Sequence, residues 1–239
     1  MANTIRTKAM DRTTLHLVGY RICPYVQRCT IVLEEKHVPY ELSLVDLFDK
    51  PGWFLRLSPL GQVPVLRVGE TTLFESAVIT EFVDEYAGGG LHPADPLERA
   101  VNRAWIAVAS AVNVDSHELV LAPTRDTCER VAARVRDRLR KVERQLQGAF
   151  FNGDTFRLVD AAYAPVLQRL AWYEETVPWF EFLSGCPNLA AWRERLFDYP
   201  AFRRSTPPDL QRHNDALMKQ LAARSVGAMP WFVRRHLER

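Results

Sequence analysis

The sequence predicts two units of different class, a small α/β unit over residues 15–87 and a larger all-helical domain over 97–239. Three observations carry this. Strand-like and helix-like runs alternate up to about residue 88. Residues 88–96, "GGGLHPADP", then place three glycines and two prolines in nine positions, the composition of a linker. Beyond it no segment reads as a strong strand, and nearly every segment carries helical periodicity. A chain of 239 residues has room for two modest domains. Residues 1–14 read as a short N-terminal extension.

In the first unit, "LHLVGY" (15–20) alternates apolar and other residues and predicts a strand. "CPYVQRCTIVLEEKH" predicts a helix, with Val26, Ile31, Val32 and Leu33 as apolar bulk and a Glu-rich end facing water. "YELSLVDL" (40–47) predicts a second strand, and "PGWFLRLS" (51–58) a short helical or irregular connection. "VPVLRVG" and "TTLFES" flank Gly69-Glu70 like a hairpin. "SAVITEFVDEYA" (76–87) predicts an amphipathic helix, with Val78, Phe82 and Tyr86 four apart and Ile79 and Val83 beside them. The order β-α-β, connection, β-β-α describes a small sheet covered by helices.

In the second unit, Val131, Val135, Leu139, Val142 and Leu146 form a stripe at helical spacing. The arginines on that helix interleave with Glu129, Asp137 and Glu143 and with no aromatic residue. This predicts a solvated face laced with ion pairs rather than a surface for stacking bases.

Composition narrows the function. Hydrophobic residues make up 47% and charged residues 25%, as in ordinary globular proteins. A formal net charge of +2 gives no reason for capture of nucleic acid or an anionic membrane. No apolar run approaches the roughly 18–20 residues that span a bilayer, and "MANTIRTKAMDRTT" lacks the apolar core of a secretory signal. The four cysteines (Cys23, Cys29, Cys128, Cys186) are scattered, without a disulfide framework or the spacing of a metal site. A reducing, cytoplasmic setting is the expectation.

Cys23 stands apart from the other three. Pro24 suits the first turn of a helix, where its fixed φ is helical and its missing N–H would have been unpaired. Cys23 is thereby placed at the N-cap, facing free amides and the positive end of the helix dipole. Both favour thiolate and predict a pKa below the free value of about 8.5, with Arg21 and Arg28 as candidate additional cations. A dithiol enzyme would need a resolving cysteine three residues on, where Val26 stands. A lone thiolate can attack a disulfide or an electrophilic carbon but needs an external thiol to finish its cycle.

Four stretches in order, "CPYVQR", "DKPGWFLRLSPLGQVPVL", "FESAVI" and "FRLVDAAYAP", resemble the glutathione transferase superfamily. Within it the chain is most similar to the cysteine-type classes, nearest the omega class and its bacterial relatives. The resemblance is strongest over 15–87. It implies a thioredoxin-like glutathione-binding domain, the family's all-helical C-terminal domain, and a homodimer. Glutathione would be a co-substrate, with no metal, nucleic acid or membrane partner.

By the same resemblance Cys23 is the catalytic residue. Val63-Pro64 looks like the family's cis-proline turn, presenting the Val63 backbone to the cysteinyl part of glutathione. Glu75 and Ser76 would take the γ-glutamyl ammonium and carboxylate, with Ser76 as the cap of the next helix. Lys50 would neutralise the glycyl carboxylate. Tyr25, Arg169, Trp172 and Tyr173 are candidates for the pocket of the second substrate, an assignment that competes with a core role for Trp172 and Tyr173.

The implied activity is thiol transfer and mixed-disulfide reduction, extending to dehydroascorbate. Glutathione-dependent ether cleavage or dehalogenation, and a non-catalytic interaction module, are the alternatives. Two departures from the family pattern stand out. Arg157 occupies the position where a hydroxyl residue usually precedes Asp160 by three. The tail "PWFVRRHLER" matches no motif, and is left to cover the active site, help form the pocket, or lie on the surface.

Overall fold

The computed structural model describes residues 14–225 and 228–239, so the expected N-terminal extension lies, except for Thr14, outside the described residues. Residues 15–86 form β1 (Leu15–Gly19), α1 (Pro24–Glu35), β2 (Tyr40–Leu44), α2 (Gly52–Leu57), β3 (Val65–Val68), β4 (Thr71–Phe74) and α3 (Ser76–Tyr86). The sheet order is β2-β1-β3-β4, with β1 and β2 parallel and the other pairs antiparallel. Strand alternation sorts side chains onto two faces. Leu17 and Leu66, paired across β1 and β3, join the main core with α1 and α3. Val18 and Val65, the next pair along, pack with Phe54 of α2 and Val45 on the other face.

All eight residues from Val26 to Leu33 of α1 are buried, because the sheet covers one side of the helix and the helical domain the other. This explains why two polar residues, Gln27 and Arg28, are buried there: they meet a second domain instead of water. On α3 the buried line is Ser76, Ile79, Thr80 and Val83, whereas Val78 is 53% exposed. The fourfold line read from the sequence is thus rotated, and its first member faces outward.

From Pro96 every regular element among the described residues is helical: α4 (Pro96–Leu121), α5 (Arg125–Glu143), α6 (Leu158–Thr176), α7 (Pro187–Asp198), α8 (Pro200–Ser205), α9 (Leu210–Arg224) and α10 (Trp231–Leu237), with a short 3-10 turn at Pro178–Phe180. Asp95 caps α4 by accepting from the Leu97 and Glu98 amides at 2.9 Å. The α5 stripe is buried at Val131, Val135, Leu139 and Val142. Its arginines meet carboxylates: Arg134 and Arg138 donate to Asp115 of α4 at 2.9 and 2.7 Å.

Helix α6 runs through the centre of this domain. Its Asp160 accepts from the backbone amides of Phe151 and Arg157 at 2.9 and 2.7 Å and from Trp192 Nε1 at 2.8 Å. The carboxylate half of the capping box is therefore intact. The Arg157 side chain has no capping role and instead donates to the Gly90 carbonyl in the linker. The tail ends in α10, where Phe232 packs edge-on against Tyr173 at 5.0 Å and the Trp231 amide donates to the Ala122 carbonyl at 2.9 Å. No helix among the described residues is long and apolar enough to cross a membrane.

Candidate active site

Cys23 is the N-cap of α1, extended at φ −67° and ψ 120°, with Pro24 at the first helical position. Its own amide donates to the Tyr20 carbonyl at 3.0 Å, and its carbonyl accepts from Val26 and Gln27. The turn between β1 and α1 therefore holds the thiol at the C-terminal edge of the sheet. Cys29 is buried one and a half turns along, its Sγ against the Tyr25 carbonyl at 3.4 Å. Cys128 and Cys186 are buried in the helical domain.

The thiol opens onto a cleft of about 600 Å³ whose wall on the sheet side includes Lys50, Val63, Pro64, Glu75 and Ser76. Five residues scattered between Lys50 and Ser76 thus border one cavity with Cys23. The Val63-Pro64 bond is cis and leads into β3. Buried Ser58 braces the loop before it, its hydroxyl donating to the Gln62 carbonyl at 2.8 Å and accepting from the Gln62 amide at 2.9 Å.

The start of α3 differs from the sequence expectation. Glu75 is the N-cap and Ser76 the first helical residue. Glu75 has φ +69°, a left-handed conformation that is costly for a residue with a side chain. The buried Ser76 hydroxyl is free to accept from Arg28 Nη1 at 3.3 Å instead of capping its own helix. Ser76 could not have been moved off the cap by reading composition alone, since serine is a preferred cap residue.

Helix α4 supplies the opposite wall through Ser110, Val114 and His117, none of which the sequence singled out. Desolvation at the cleft wall shifts the His117 imidazole below its ordinary range, which favours its neutral form. Tyr25 also lines the cleft and donates from its hydroxyl to the Ser110 carbonyl at 3.2 Å. The other three residues expected around the second substrate lie elsewhere. Arg169, Trp172 and Tyr173 are buried on α6 and do not border the cleft. Trp172 lies against the Arg169 guanidinium, and Tyr173 packs on Phe232 of the tail. The tail contributes no residue to the cleft either.

The electrostatics also correct the sequence expectation. Desolvation pushes the Cys23 thiol above its ordinary value and outweighs the forces that favour thiolate. Those opposing forces are the backbone amides of Val26 and Tyr25, followed by the charges of Arg169 and Arg28. Arg21 is not among them: it is exposed and faces Asp209 at 3.9 Å. Burial likewise raises Cys29, and raises Cys128 to about 12. Among the described residues no three His, Cys, Asp or Glu side chains gather as a metal site.

A four-stranded sheet with a cysteine at the first helix start, a cis-proline turn facing it and an all-helical second domain define a two-domain protein of thioredoxin-like plus helical class. The N-terminal domain family of glutathione S-transferases matches residues 22–86, and their C-terminal domain family matches 125–195. The chain belongs to the glutathione transferase family, in its cysteine-type, omega-like group.

It is 28% identical over 212 residues to glutathione S-transferase omega-1 of Sus scrofa, covering 86% of each chain. It is 31% identical over 183 residues to the probable glutathione S-transferase DHAR1, cytosolic, of Oryza sativa subsp. japonica, covering 75% of this chain and 82% of that one. The crystal structure of glutathione transferase Omega 3C from Trametes versicolor superposes with a TM-score of 0.74 at 29% identity, covering 81% of this chain and 89% of that one.

Proposed function

We propose that this protein is a glutathione-dependent thiol transferase and reductase acting through a Cys23–glutathione mixed disulfide. One observation carries the reading: of four free cysteines, Cys23 alone is open to the cleft, and the other three are buried. The omega-like relatives and the relative named DHAR1 agree with this class of activity.

Glutathione would lie along the sheet-side wall. Its γ-glutamyl carboxylate would meet Ser76 at the start of α3, where free amides and the helix dipole favour an anion. Glu75 would face the α-ammonium group. The Val63 backbone would pair with the cysteinyl residue as an added strand does. Lys50, an exposed point charge, would face the glycyl carboxylate.

In the first step Cys23 sulfur attacks the glutathione sulfur of a mixed disulfide. The S–S bond breaks, the substrate leaves as a thiol carrying the Cys23 proton, and Cys23 becomes glutathionylated. A second glutathione then attacks the glutathione sulfur of this mixed disulfide, the bond to Cys23 breaks, oxidised glutathione leaves, and the proton returns to Cys23. Dehydroascorbate would enter by a different first step: Cys23 adds to its carbonyl carbon, one glutathione attacks the Cys23 sulfur and expels ascorbate, and a second glutathione resolves the resulting Cys23–glutathione disulfide as oxidised glutathione. We further infer a cytoplasmic setting, a second substrate that is a disulfide or a small apolar molecule, and a homodimer.

Replacing Cys23 with alanine tests the assignment. Thiol transfer to a glutathione mixed disulfide should fall to background while glutathione still binds. Undiminished turnover would remove Cys23 from the reaction.

A further inference from the structure

Arg169 belongs to α6, in the helical domain, yet its guanidinium grips the other domain. Nη2 donates to the carbonyl of Ile22, the residue before Cys23, at 2.7 Å. Nη1 donates to the Gln27 side-chain oxygen on α1, to the Gln168 side-chain oxygen at 3.0 Å and to the Pro165 carbonyl at 3.2 Å. The Trp172 ring lies 5.3 Å from the guanidinium carbon. Every one of these acceptors is neutral, and the residue is 4% exposed.

A buried guanidinium without a carboxylate carries a desolvation cost that an apolar side chain of similar length would avoid. Its hydrogen bonds offset part of that cost. The rest is offset when a negative charge forms within reach. The acidic groups that feel Arg169 are the Tyr173 phenol and the Cys23 thiol, and the phenol is raised to about 12 by burial. Cys23 is thus the group left to become an anion there as the reaction proceeds, against the desolvation that raises its thiol.

We propose that Arg169 is a positioning residue for the reaction: it clamps the Ile22 carbonyl to fix the Cys23 turn, and its charge is the built-in counter-ion of the Cys23 thiolate. The helical domain thereby holds and activates a nucleophile that belongs to the sheet domain. The charge matters at both chemical steps, since a thiolate attacks in the first and departs in the second. This rests on Cys23 being the reacting thiol.

Other groups face Cys23. Tyr20 approaches from the end of β1, Tyr25, Arg28 and Cys29 from α1, and Lys50, Glu75 and His117 share its cleft. Of the cations, Arg28 is held by the hydroxyls of Ser76 and Ser110. Arg169 holds the turn itself.

The test is the rate of iodoacetamide alkylation against pH in the full chain without glutathione, with the alkylated residue mapped by mass spectrometry. In Arg169→Gln the midpoint for Cys23 should rise by about one pH unit. The kcat for thiol transfer near pH 7 should fall roughly tenfold with the thiolate fraction, and the glutathione KM should stay within about twofold. Arg169→Lys keeps the charge but loses the fork. Its midpoint should remain within about half a unit of wild type, while its kcat falls with the loosened turn.

A structural role alone would lower the melting temperature of both variants and leave the midpoint unmoved, which overturns the inference. If the Gln variant does not fold, a Lys variant whose midpoint rises by a full unit or more overturns it as well. Failure of Cys23 to alkylate at all in wild type contradicts instead the reading of Cys23 as the nucleophile.

Discussion

Arg28 Nη1 donates to the Ser76 hydroxyl at 3.3 Å, joining the helix that begins after Cys23 to the helix that begins after Glu75. The same guanidinium donates to the Ser110 hydroxyl at 3.2 Å and the Ala162 carbonyl at 3.5 Å, and stacks on Tyr25. One side chain, 1% exposed, thus ties α1 to α3, α4 and α6.

Because Ser76 is the proposed anchor of the γ-glutamyl carboxylate, Arg28 should set its direction. Arg28→Met removes a charge-assisted hydrogen bond of about 1.5–3 kcal/mol. It also spares the desolvation of an unpaired cation, so stability should change less than binding. The glutathione KM should rise roughly tenfold, with a smaller effect on kcat. Steady-state kinetics beside a thermal melt checks this, and a large loss of stability with unchanged KM would contradict it.

Asp160 gives a pH dependence with a definite sign. Burial raises its carboxyl from 3.8 to about 6 despite the donors around it. Between those values the native state binds more protons than the unfolded chain, so the contribution of Asp160 to stability grows as pH falls and is lost as pH rises. Asp160→Asn points a donor at one of the amides and should cost about 1–3 kcal/mol at pH 7. The gap between wild type and variant should widen by about 2 kcal/mol from pH 7 to pH 4. Urea unfolding at both values measures it; a gap that narrows on acidification would reverse the assignment.

Phe74, the last residue of β4, and Val78, in the first turn of α3, stand four residues apart and are both exposed. Glu81, on the same side of the helix, pairs with Arg103 of α4. An apolar pair beside this bridge suits the face of the inferred homodimer. Val78→Glu should shift the protein from dimer to monomer in sedimentation velocity at micromolar concentration. A wild-type monomer, or a variant dimer of unchanged affinity, would rule this face out.

The sheet unit was legible in the sequence because its strands alternate, its turns carry glycine and its helices are amphipathic. The placement of Cys23 at a helix start followed from Pro24, and the order of the motifs pointed to the residues around the cleft. What escaped were features without a local signal. Helix α6 is buried on nearly every side, so periodicity could not say where Arg169, Trp172 and Tyr173 face. The α4 wall with His117 depends on how a 26-residue helix crosses the sheet domain. The left-handed backbone of Glu75 displaced Ser76 from the cap, and no residue type announces that geometry. The desolvation that outweighs the helix dipole at Cys23 depends on the second domain closing over the first.

The central claim is a covalent adduct at one sulfur. Intact mass spectrometry after incubation with oxidised glutathione, followed by peptide mapping, tests it most directly. The account predicts one glutathione per chain, attached to Cys23 and released by added glutathione. An adduct confined to Cys29, Cys128 or Cys186, or none at all, would contradict it.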